Sequence, residues 1–446
     1  MSEDLLLRYA NFSMPPAERV RDFIARDPRL QWVNPFLRRQ PNADLSLGGA
    51  TLRTILLGHI PATPHVTIHH TSSHDIRSAL TPYGNFQLEG YGDVMTFAPN
   101  DAAHTIILST TPQERKEFTV DSLTYRYRDH AIDDANGNGL DDIKTRTLRT
   151  TNYPLRTFAN EPLATLRALR LAAQHEFTFA GETWHALTRS LPRLHITEHD
   201  DEGLSRFTIP RRVLGHALLD ILAANSRYGA SLVHASGLLS TLAPNVNDDT
   251  SAHSVAMLHT FAHPETLGGH GVEKLSNAAT LAALLANEPN ATTVIKNLAR
   301  DYHLHEIHSS HPSHCDVDDT TWLLDNLRMF TDIDPASLQP SAFEKIFGNQ
   351  RGRQLLALMH AVFLDEGTHH VGRERMHVAR RLLDRYDEQR DASPKLLRGR
   401  DLDTLGIPPG PLYRRLLSKI RDAQLSGLVT NRDEAMHLLR LEIGKI

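Results

Sequence analysis

The chain has 446 residues, 40% of them hydrophobic and 23% charged, which is the composition of a soluble protein with more than one domain. Its formal net charge of −5 excludes a uniformly basic nucleic-acid binder but leaves room for a local basic surface. The single cysteine, Cys315, excludes internal disulfides, and the lack of a visible signal peptide or apolar span predicts a cytoplasmic protein with no membrane partner.

Up to about residue 150, short β-rich runs alternate with helical patterns. HVTIHH, DVMTFA and HTIILST are typical strand segments, whereas AERVRDFIARD places Val20, Phe23 and Ile24 on one face of a helix. This alternation predicts an α/β or α+β domain in the first part of the chain.

A glycine pair, Gly48 and Gly49, opens a helix-like run that contains Arg53, and a turn at Gly58 leads into HVTIHH. The segment is neither a G-x-x-x-x-G-K-[ST] nor a G-x-G-x-x-G phosphate loop. Two glycines before a helix can still expose backbone N–H groups to a phosphate. Taken alone, this segment leaves open both phosphate binding and a plain strand-to-helix turn.

The segment DDANGNGLDDIKT, residues 133–145, has the spacing of a calcium loop. Positions 1, 3, 5, 6 and 9 of such a loop would be Asp134, Asn136, Asn138, Gly139 and Asp142. Position 12, which should supply a bidentate carboxylate, is Thr145. We therefore favour a tight Asn-Gly loop between strands over a calcium site.

From about residue 160 onward, hydrophobic residues recur at helical spacing. NEPLATLRALRLAAQHEF sets this pattern, and turn-rich breaks near HPETLGGHG, HSSHPSH and RDASPKLLRG indicate joints between helical parts. HLHEIHSSHPSHCDVDD, from His303, combines five histidines with Cys315 and three aspartates. Because the spacing matches no closed four-ligand zinc site, we interpret the segment as a polar connection between helices.

Six segments form an ordered set of motifs along the chain: GGATLRTILLG (48–58), PHVTIHHT (64–71), RKEFTVDSL (115–123), GNGLDDI (137–143), NEPLATLR (160–167) and the tail segment that begins LRGRDLDTLGIPPGPLYRRLLSKIRDAQ (397–424). Taken together and in order, they resemble the motifs of the bacterial class II nucleotidyltransferases, the family of CCA-adding tRNA nucleotidyltransferases and bacterial poly(A) polymerases. Each motif is degenerate, but the matching order covers most of the chain.

The resemblance implies an α+β fold, in which a nucleotidyltransferase-type head with a mixed sheet is followed by an elongated all-helical neck, body and tail. Projected onto this chain, the head is 1–150, the neck 151–210, the body 211–370 and the tail 371–446. In the family, the head holds the metals and the nucleotide, the neck reads the base, and the body and tail grip tRNA.

The resemblance also implies residues for each role. The nucleotide-binding positions are Gly48, Gly49, Arg53, Arg115, Glu117, Asp121, Glu161 and Arg167. The tail positions that could contact RNA phosphates are Arg414, Arg415, Lys419 and Arg421. For each of these four cations, a solvated helix face is the alternative interpretation.

The chain departs from the family at the positions that would bind metal. Nucleotidyl transfer by two metals needs anionic oxygens, which the family supplies from an aspartate pair spaced D-x-D. His65 and Thr67 stand at those positions, and HTIILST, the candidate segment for a third carboxylate, contains no acid. His65 and His69 would lie about 13 Å apart along a strand, too far to chelate one ion by themselves.

The positions that would read the base have changed as well. Asn160 and Glu161 replace the family's Glu-Asp, and Ala164 replaces its first arginine, so that Arg167 is the arginine that is kept. Glu117 likewise replaces an aspartate of the family motif. The base-reading pair of the family therefore cannot form in the same way.

We therefore predict a pseudoenzyme: a protein of this fold that binds RNA, with tRNA or a tRNA-like RNA as its partner, and with no metal site and no cofactor. The alternative is an active CCA-adding or poly(A) nucleotidyltransferase that uses Mg²⁺ and ATP or CTP through other acids, such as Asp93, Glu114 or Glu117. A third hypothesis is an interaction scaffold, whose former RNA surface holds a protein partner.

Overall fold

The structure is a computed structural model that describes residues 14–87, 93–100, 102, 104–112, 116–199, 205–259, 272, 274–307, 310–365, 370–392 and 394–444. The chain divides into two compact units, Met1–Leu194 and His195–Ile446. Among the described helices, none is both long and apolar enough to cross a membrane.

The first unit combines helices with one large sheet. Its helices are α1 (Pro16–Arg26), α2 (Val33–Arg39), α3 (Gly49–Leu56), α4 (Ser73–Leu80), α5 (Gly139–Thr145), α6 (Pro154–Asn160), α7 (Leu163–His175) and α8 (Gly181–Ser190). Its strands are β1 (Asp44–Gly48), β2 (His65–His69), β3 (Gly84–Gln87), β4 (Val94–Pro99), β5 (Ile106–Ser109), β6 (Thr124–Arg126), β7 (Ala131–Asp133), β8 (Thr147–Leu148) and β9 (Thr178–Phe179).

The large sheet has seven strands in the order β3-β4-β5-β2-β1-β6-β7, and β8 and β9 form a separate parallel pair. Strands β2 and β5 run parallel, whereas the other neighbours in the large sheet run antiparallel. A mixed sheet followed by helices confirms the α+β fold class. The order puts β2 at the centre, between β5 and β1, where both of its edges are paired.

Strand β2 shows why this sequence forms a sheet with one polar face. Successive side chains of a strand point to opposite faces, so Val66 and Ile68 share one face and His65, Thr67 and His69 share the other. Val66 and Ile68 are buried in the core. The predicted apolar face of α1 (Val20, Phe23 and Ile24) is also buried, and α1 packs against α3.

The second unit is almost entirely helical. It contains one hairpin, β10 (Thr197–His199) with β11 (Ser205–Phe207), in its described part. Its helices are α9 (Arg211–Ala224), α10 (Ser226–Ala235), α11 (Leu238–Leu242), α12 (Asp248–His259), α13 (Asn277–Leu284), α14 (Ala291–Tyr302), α15 (Val317–Asn326), α16 (Met329–Asp332), α17 (Pro340–Phe347), α18 (Gln350–Asp365), α19 (His370–Ala392), α20 (Gly399–Asp403), α21 (Pro411–Leu425) and α22 (Arg432–Ile443).

Two cores organise this unit. Helix α13 is buried at every position from Asn277 to Leu284, as expected for a helix that is apolar on all sides. Near the end of the chain, α20, α21 and α22 share a cluster that includes Leu402, Leu416, Ile420 and Leu439. Helix α21 also packs against α17, which joins the last helices to the rest of the unit.

The division into units differs from the predicted neck boundary. We expected the neck to extend to residue 210, but the units divide between Leu194 and His195. Helices α6, α7 and α8 therefore belong with the sheet, because α7 lays Leu166, Leu169 and Ala173 into the core of the first unit. The predicted body and tail both lie in the second unit, and the boundary between them stays a prediction.

Candidate functional site

The glycine pair forms the sharp turn between β1 and α3. Gly48 is extended, with φ −143°, and ends β1. Gly49 begins α3 with φ +51°, in the left-handed region that glycine adopts at little cost. The sequence GG is thus explained by the backbone of the turn, and phosphate binding by its N–H groups stays a prediction.

Beside this turn, His65 and Thr67 of β2 bond to Ser109 of β5. His65 Nε2 lies 2.9 Å from Ser109 Oγ, and Thr67 Oγ1 lies 3.3 Å from the same oxygen. Thr67 and Ser109 are completely buried. We call these three residues the β2–β5 cluster. It contains no carboxylate, and its hydroxyl groups are already used within the protein.

The register of the sheet explains why Ser109 completes the cluster. Thr67 is the direct neighbour of Ser109 in the parallel pair of β2 and β5. The sequence shows that HTIILST lacks an acid, but not that its serine meets Thr67. His69 instead bonds to Ser46 of β1, with 2.8 Å between Nε2 and Oγ. As the strand spacing predicts, His65 and His69 contact different partners.

The other acids considered as metal ligands are not gathered at this cluster. Asp93 precedes β4 and is exposed, and its backbone carbonyl accepts a hydrogen bond from Thr110. Glu117 bonds to Arg167, and Glu114 lies outside the described residues. Within the described ranges, no group of three or more His, Cys, Asp or Glu is placed to hold a metal ion.

Four of the predicted nucleotide-binding residues do meet, in a pocket of about 170 Å³ that we call the arginine pocket. They are Arg53, Glu117, Asp121 and Arg167. Arg53 comes from α3 and Arg167 from α7, while the two acids lie between β5 and β6. The fold thus brings together residues that are far apart in sequence. Predicted Arg115 lies outside the described residues.

One ion pair of this pocket joins Arg53 to Asp121, through Nη1 and Oδ1. Both side chains are largely buried. Burial raises the pKa of Asp121, while the charge and the hydrogen bond of Arg53 act against that rise. Arg53 Nε is buried and has no hydrogen-bond partner in the described part of the chain.

A second ion pair holds Arg167 between two carboxylates. Arg167 Nη2 donates to Glu117 Oε1 at 2.5 Å, and its Nε donates to Oε2 at 3.3 Å. Its Nη1 lies 3.6 Å from Glu161 Oε1. The guanidinium that the resemblance assigns to a nucleotide is therefore engaged by two acids of the protein, Glu117 and Glu161.

Arg170 and Gln174 also line the arginine pocket, and the sequence analysis missed them. They follow Arg167 by three and seven residues on α7, which is the spacing of one helical face. That spacing was the available signal in the sequence. Ala164, by contrast, is buried and offers no polar group.

In the segment with calcium-loop spacing, Asp134 and Asp142 accept hydrogen bonds within the protein, while Asp134 Oδ1 is buried with no hydrogen-bond partner among the described residues. Asp134 accepts a hydrogen bond from the backbone N–H of Leu140, and buried Asp142 accepts from the hydroxyl of Thr119. Asp142 also pairs with Arg149, at 3.1 Å from Nε. The segment links β7 to α5, so the predicted loop between two strands is wrong: residues 139–145 form a helix, and Gly137 has φ +70° in the short loop before it.

The described part of the histidine-rich segment connects α14 to α15. His303 follows the last residue of α14 and bonds to Glu306, and His314 Nδ1 lies 2.8 Å from the carbonyl of Ile307. Burial raises the pKa of Cys315 to about 11, so its thiol is not a ready metal ligand. These contacts agree with the predicted polar connection; His308 lies outside the described residues.

The four cations of α21 fall into two classes. Arg414 and Arg415 are exposed and form no ion pair with the described residues. Lys419 pairs with Glu442 of α22. Arg421 is buried and pairs with Glu344 of α17 at 2.8 Å, which departs from the prediction that it faces RNA phosphates. Within α21, Arg421 is thus buried, whereas Arg414 and Arg415 are exposed. Cations of one sequence motif therefore have two different roles, which their charge alone does not distinguish.

Two proteins of known activity are similar to short segments of this chain. The tRNA nucleotidyltransferase cca2 of Schizosaccharomyces pombe is 39% identical over 64 residues, which are 14% of this chain and 13% of that protein. The tRNA nucleotidyltransferase cca1 of the same organism is 24% identical over 149 residues, or 33% of this chain and 28% of that protein. The chain thus matches less than a third of either relative's length. No model of a known family matches the chain.

Solved structures share the fold over nearly the whole chain. The Thermotoga maritima CCA-adding enzyme complexed with tRNA superposes with a TM-score of 0.62 at 14% identity, covering 95% of this chain and 98% of that chain. The Bacillus stearothermophilus CCA-adding enzyme in complex with CTP superposes with a TM-score of 0.61 at 16% identity, covering 94% of this chain and 100% of that chain. The chain therefore shares the fold of CCA-adding enzymes over nearly its whole length, and short segments of it are similar in sequence to tRNA nucleotidyltransferases.

Proposed function

We propose that this protein is a noncatalytic member of the class II nucleotidyltransferase family that binds RNA, with tRNA or a tRNA-like RNA as its ligand. The β2–β5 cluster is the observation that carries the proposal. Where the resemblance expects metal-binding aspartates, the chain has an imidazole and a threonine hydroxyl that bond to Ser109. A fold can be kept while its chemistry is lost, so the activity has to be argued from this site.

The cluster does not fit two magnesium ions. Mg²⁺ prefers anionic oxygens in near-octahedral geometry, and imidazole is a poor ligand for it. None of His65, Thr67 and Ser109 supplies a negative charge, and burial closes the two hydroxyl groups to solvent. We therefore derive no nucleotidyl transfer through a metal for this chain.

The cations of the second unit support the RNA part of the proposal. Arg414 and Arg415 project from α21 into solvent, and charges of this kind bind phosphates in a salt-dependent manner. A CCA-adding enzyme with the same fold has been solved with tRNA, and other relatives have been solved with ATP and with CTP. Together these observations favour tRNA over an unrelated RNA as the first ligand to test.

A nucleotide is a weaker ligand in this proposal. The arginine pocket is small, and a base that reached Arg167 would first have to separate it from Glu117. Such a separation would break the charge-assisted hydrogen bonds between Arg167 and Glu117, and this loss would weaken nucleotide binding. We therefore expect ATP and CTP to bind less tightly than RNA.

One experiment tests both parts of the proposal. The full chain is incubated with a tRNA transcript lacking its 3′ end, labelled ATP and CTP, and either Mg²⁺ or Mn²⁺, beside a CCA-adding enzyme as positive control. We expect no label in the RNA, while filter binding shows tRNA affinity that falls steeply with salt. Metal-dependent labelling would overturn the noncatalytic part, and an affinity that is absent or unaffected by salt would overturn the RNA part.

A further inference from the structure

A basic pocket of about 680 Å³ lies beside α17 and α21 in the second unit. Its walls come from α17, the end of α19, the segment before α20, and α21. We call it the tail pocket. Part of its wall, including Arg398 and the residues of α21, belongs to the tail motif at 397–424, whereas Lys345 and Lys395 lie outside every motif.

One carboxylate and one arginine of the tail pocket neutralise each other. Glu344 accepts two hydrogen bonds from Arg421, at 2.9 Å from Nε and 2.8 Å from Nη2, and Tyr386 donates a third at 3.1 Å. Burial alone would raise the pKa of Glu344, but the hydrogen bonds and charge of Arg421, with Tyr386 and Lys395, bring it below its ordinary value. This acid is therefore ionised and fully used by the protein.

Three further cations line the same pocket, and one of them, Lys395, also interacts with the charge of Glu344. Lys345, Lys395 and Arg398 are all exposed, and they form no ion pair with the residues that the structure describes. Each comes from a different part of the unit: α17, the segment after α19, and the residue before α20. Like charges that converge from separate elements repel one another, and a bound anion would remove that cost.

Hydroxyl groups complete the pocket. Ser418 of α21 lies on its wall, and Arg414 precedes Ser418 by one helical turn on the same face. The exposed charge of Arg414 therefore extends the basic surface away from the pocket. A ligand with several anionic oxygens matches this combination of three cations with a hydroxyl donor.

We propose that the tail pocket binds phosphate groups, through Lys345, Lys395 and Arg398. The phosphate can belong to an RNA backbone or to a free phosphorylated molecule, and the chemistry of recognition is the same. The RNA source rests on the proposed function, whereas phosphate binding by the pocket does not.

The test compares two triple variants of the full chain, in each of which three cations are replaced by neutral glutamine. The pocket variant combines Lys345→Gln, Lys395→Gln and Arg398→Gln. The control combines Arg212→Gln, Lys296→Gln and Arg381→Gln, which removes the same charge from exposed positions outside the pocket. Binding of inorganic pyrophosphate is measured by calorimetry, and tRNA binding by filter assay over a range of salt concentrations.

We expect wild type and control to bind pyrophosphate, and the pocket variant to bind it at least tenfold more weakly. The salt slope of tRNA binding is the slope of the logarithm of the affinity against the logarithm of the salt concentration. If RNA is the natural source, this slope becomes shallower in the pocket variant by about one unit for each phosphate contact removed. Loss of pyrophosphate binding with unchanged tRNA binding identifies a free phosphorylated ligand. A wild-type protein that binds no pyrophosphate, or a pocket variant that matches the control, overturns the inference. Absence of tRNA binding in every variant overturns the proposed function alone.

Discussion

The polar face of β2 and the basic surface of α21 differ in what their side chains contact: those of β2 bond to other protein groups, whereas several of those on α21 face solvent. In the first unit, His65 and Thr67 bond to Ser109, and both ion pairs of the arginine pocket are internal. In the second unit, several cations face solvent with no acid beside them, among them Arg414 and Arg415. The first region is closed by the protein's own groups, and the second is open to a ligand.

The difference shows which motif residues remain available to bind a ligand: those that have no partner inside the protein. A residue that has found a partner inside the protein is not available to a substrate without cost. A cation without a partner costs little in water and gains from meeting a phosphate. Four predictions test this contrast, in order of decreasing effect.

Restoring acids to β2 has the largest expected effect. Thr67→Asp puts a carboxylate into a completely buried position, so we expect a loss of about 3 kcal/mol or more in the free energy of unfolding. With His65→Asp added, Mn²⁺ or Mg²⁺ should raise the melting temperature of the double variant but not that of wild type. Thr63→Asp, in the exposed loop before β2, is the matched control and should change stability by less than about 0.5 kcal/mol. Wild-type stabilisation by either metal would contradict the closed-site interpretation.

Removing one cation from each class on α21 should separate stability from binding. Arg421→Met leaves Glu344 without its ion-pair partner, and we expect a loss of about 2 to 3 kcal/mol in denaturant unfolding. Arg415→Met removes an exposed charge, so stability should hardly change while the salt slope of tRNA binding falls by about one unit. The double variant Glu344→Gln with Arg421→Met should recover much of the stability. If Arg421→Met weakens RNA binding without destabilising the fold, the division into two classes is wrong.

Releasing Arg167 should open the arginine pocket. Glu117→Gln removes the charge that holds this guanidinium, and we expect ATP or CTP affinity to rise by about tenfold, which corresponds to about 1.4 kcal/mol. Calorimetry with and without the substitution measures the change. Glu182→Gln, on the exposed side of α8, is the control for the loss of one negative charge. Unchanged nucleotide affinity would show that Glu117 does not compete with a ligand.

The smallest effect concerns a polar group that the first unit does not satisfy. His175 is buried at the end of α7, and its Nε2 has no hydrogen-bond partner in the described chain. Burial, and then the charges of Arg53, His59 and Arg146, lower the pKa of His175 to about 3. The folded state therefore keeps this imidazole neutral at pH values where the unfolded chain takes up a proton.

The sign of the pH effect follows from that lowered pKa. The contribution of His175 to stability is complete above the unfolded pKa of about 6.5 and is lost as the pH falls below it, by at most about 1.4 kcal/mol per pH unit. Unfolding of wild type and of His175→Phe is compared between pH 7.5 and 5.5, and the difference should shift in favour of the variant by about 1 kcal/mol. His185→Phe, at an exposed site on α8, should show no such trend.

Periodicity and motif order were enough to predict much of the fold. The alternation in HVTIHH gave a strand with one polar face, and the spacing in AERVRDFIARD gave the buried face of α1, because both depend on local geometry alone. The neck boundary at residue 210 stays a prediction; the two compact units divide after Leu194, and this division depends on which core receives α6, α7 and α8, which no local pattern shows.

What the sequence by itself determined is which chemical groups are present: no acid at positions 65 and 67, glutamates at positions 117 and 161, and cations on α21. Tertiary structure alone decided which of these groups meet. Strand register placed Ser109 beside Thr67, and helix packing buried Arg421 against Glu344 while it left Arg415 in solvent. The physical reason is that hydrogen bonds and ion pairs act over a few ångströms, and only the folded chain brings residues separated by dozens of positions to that distance.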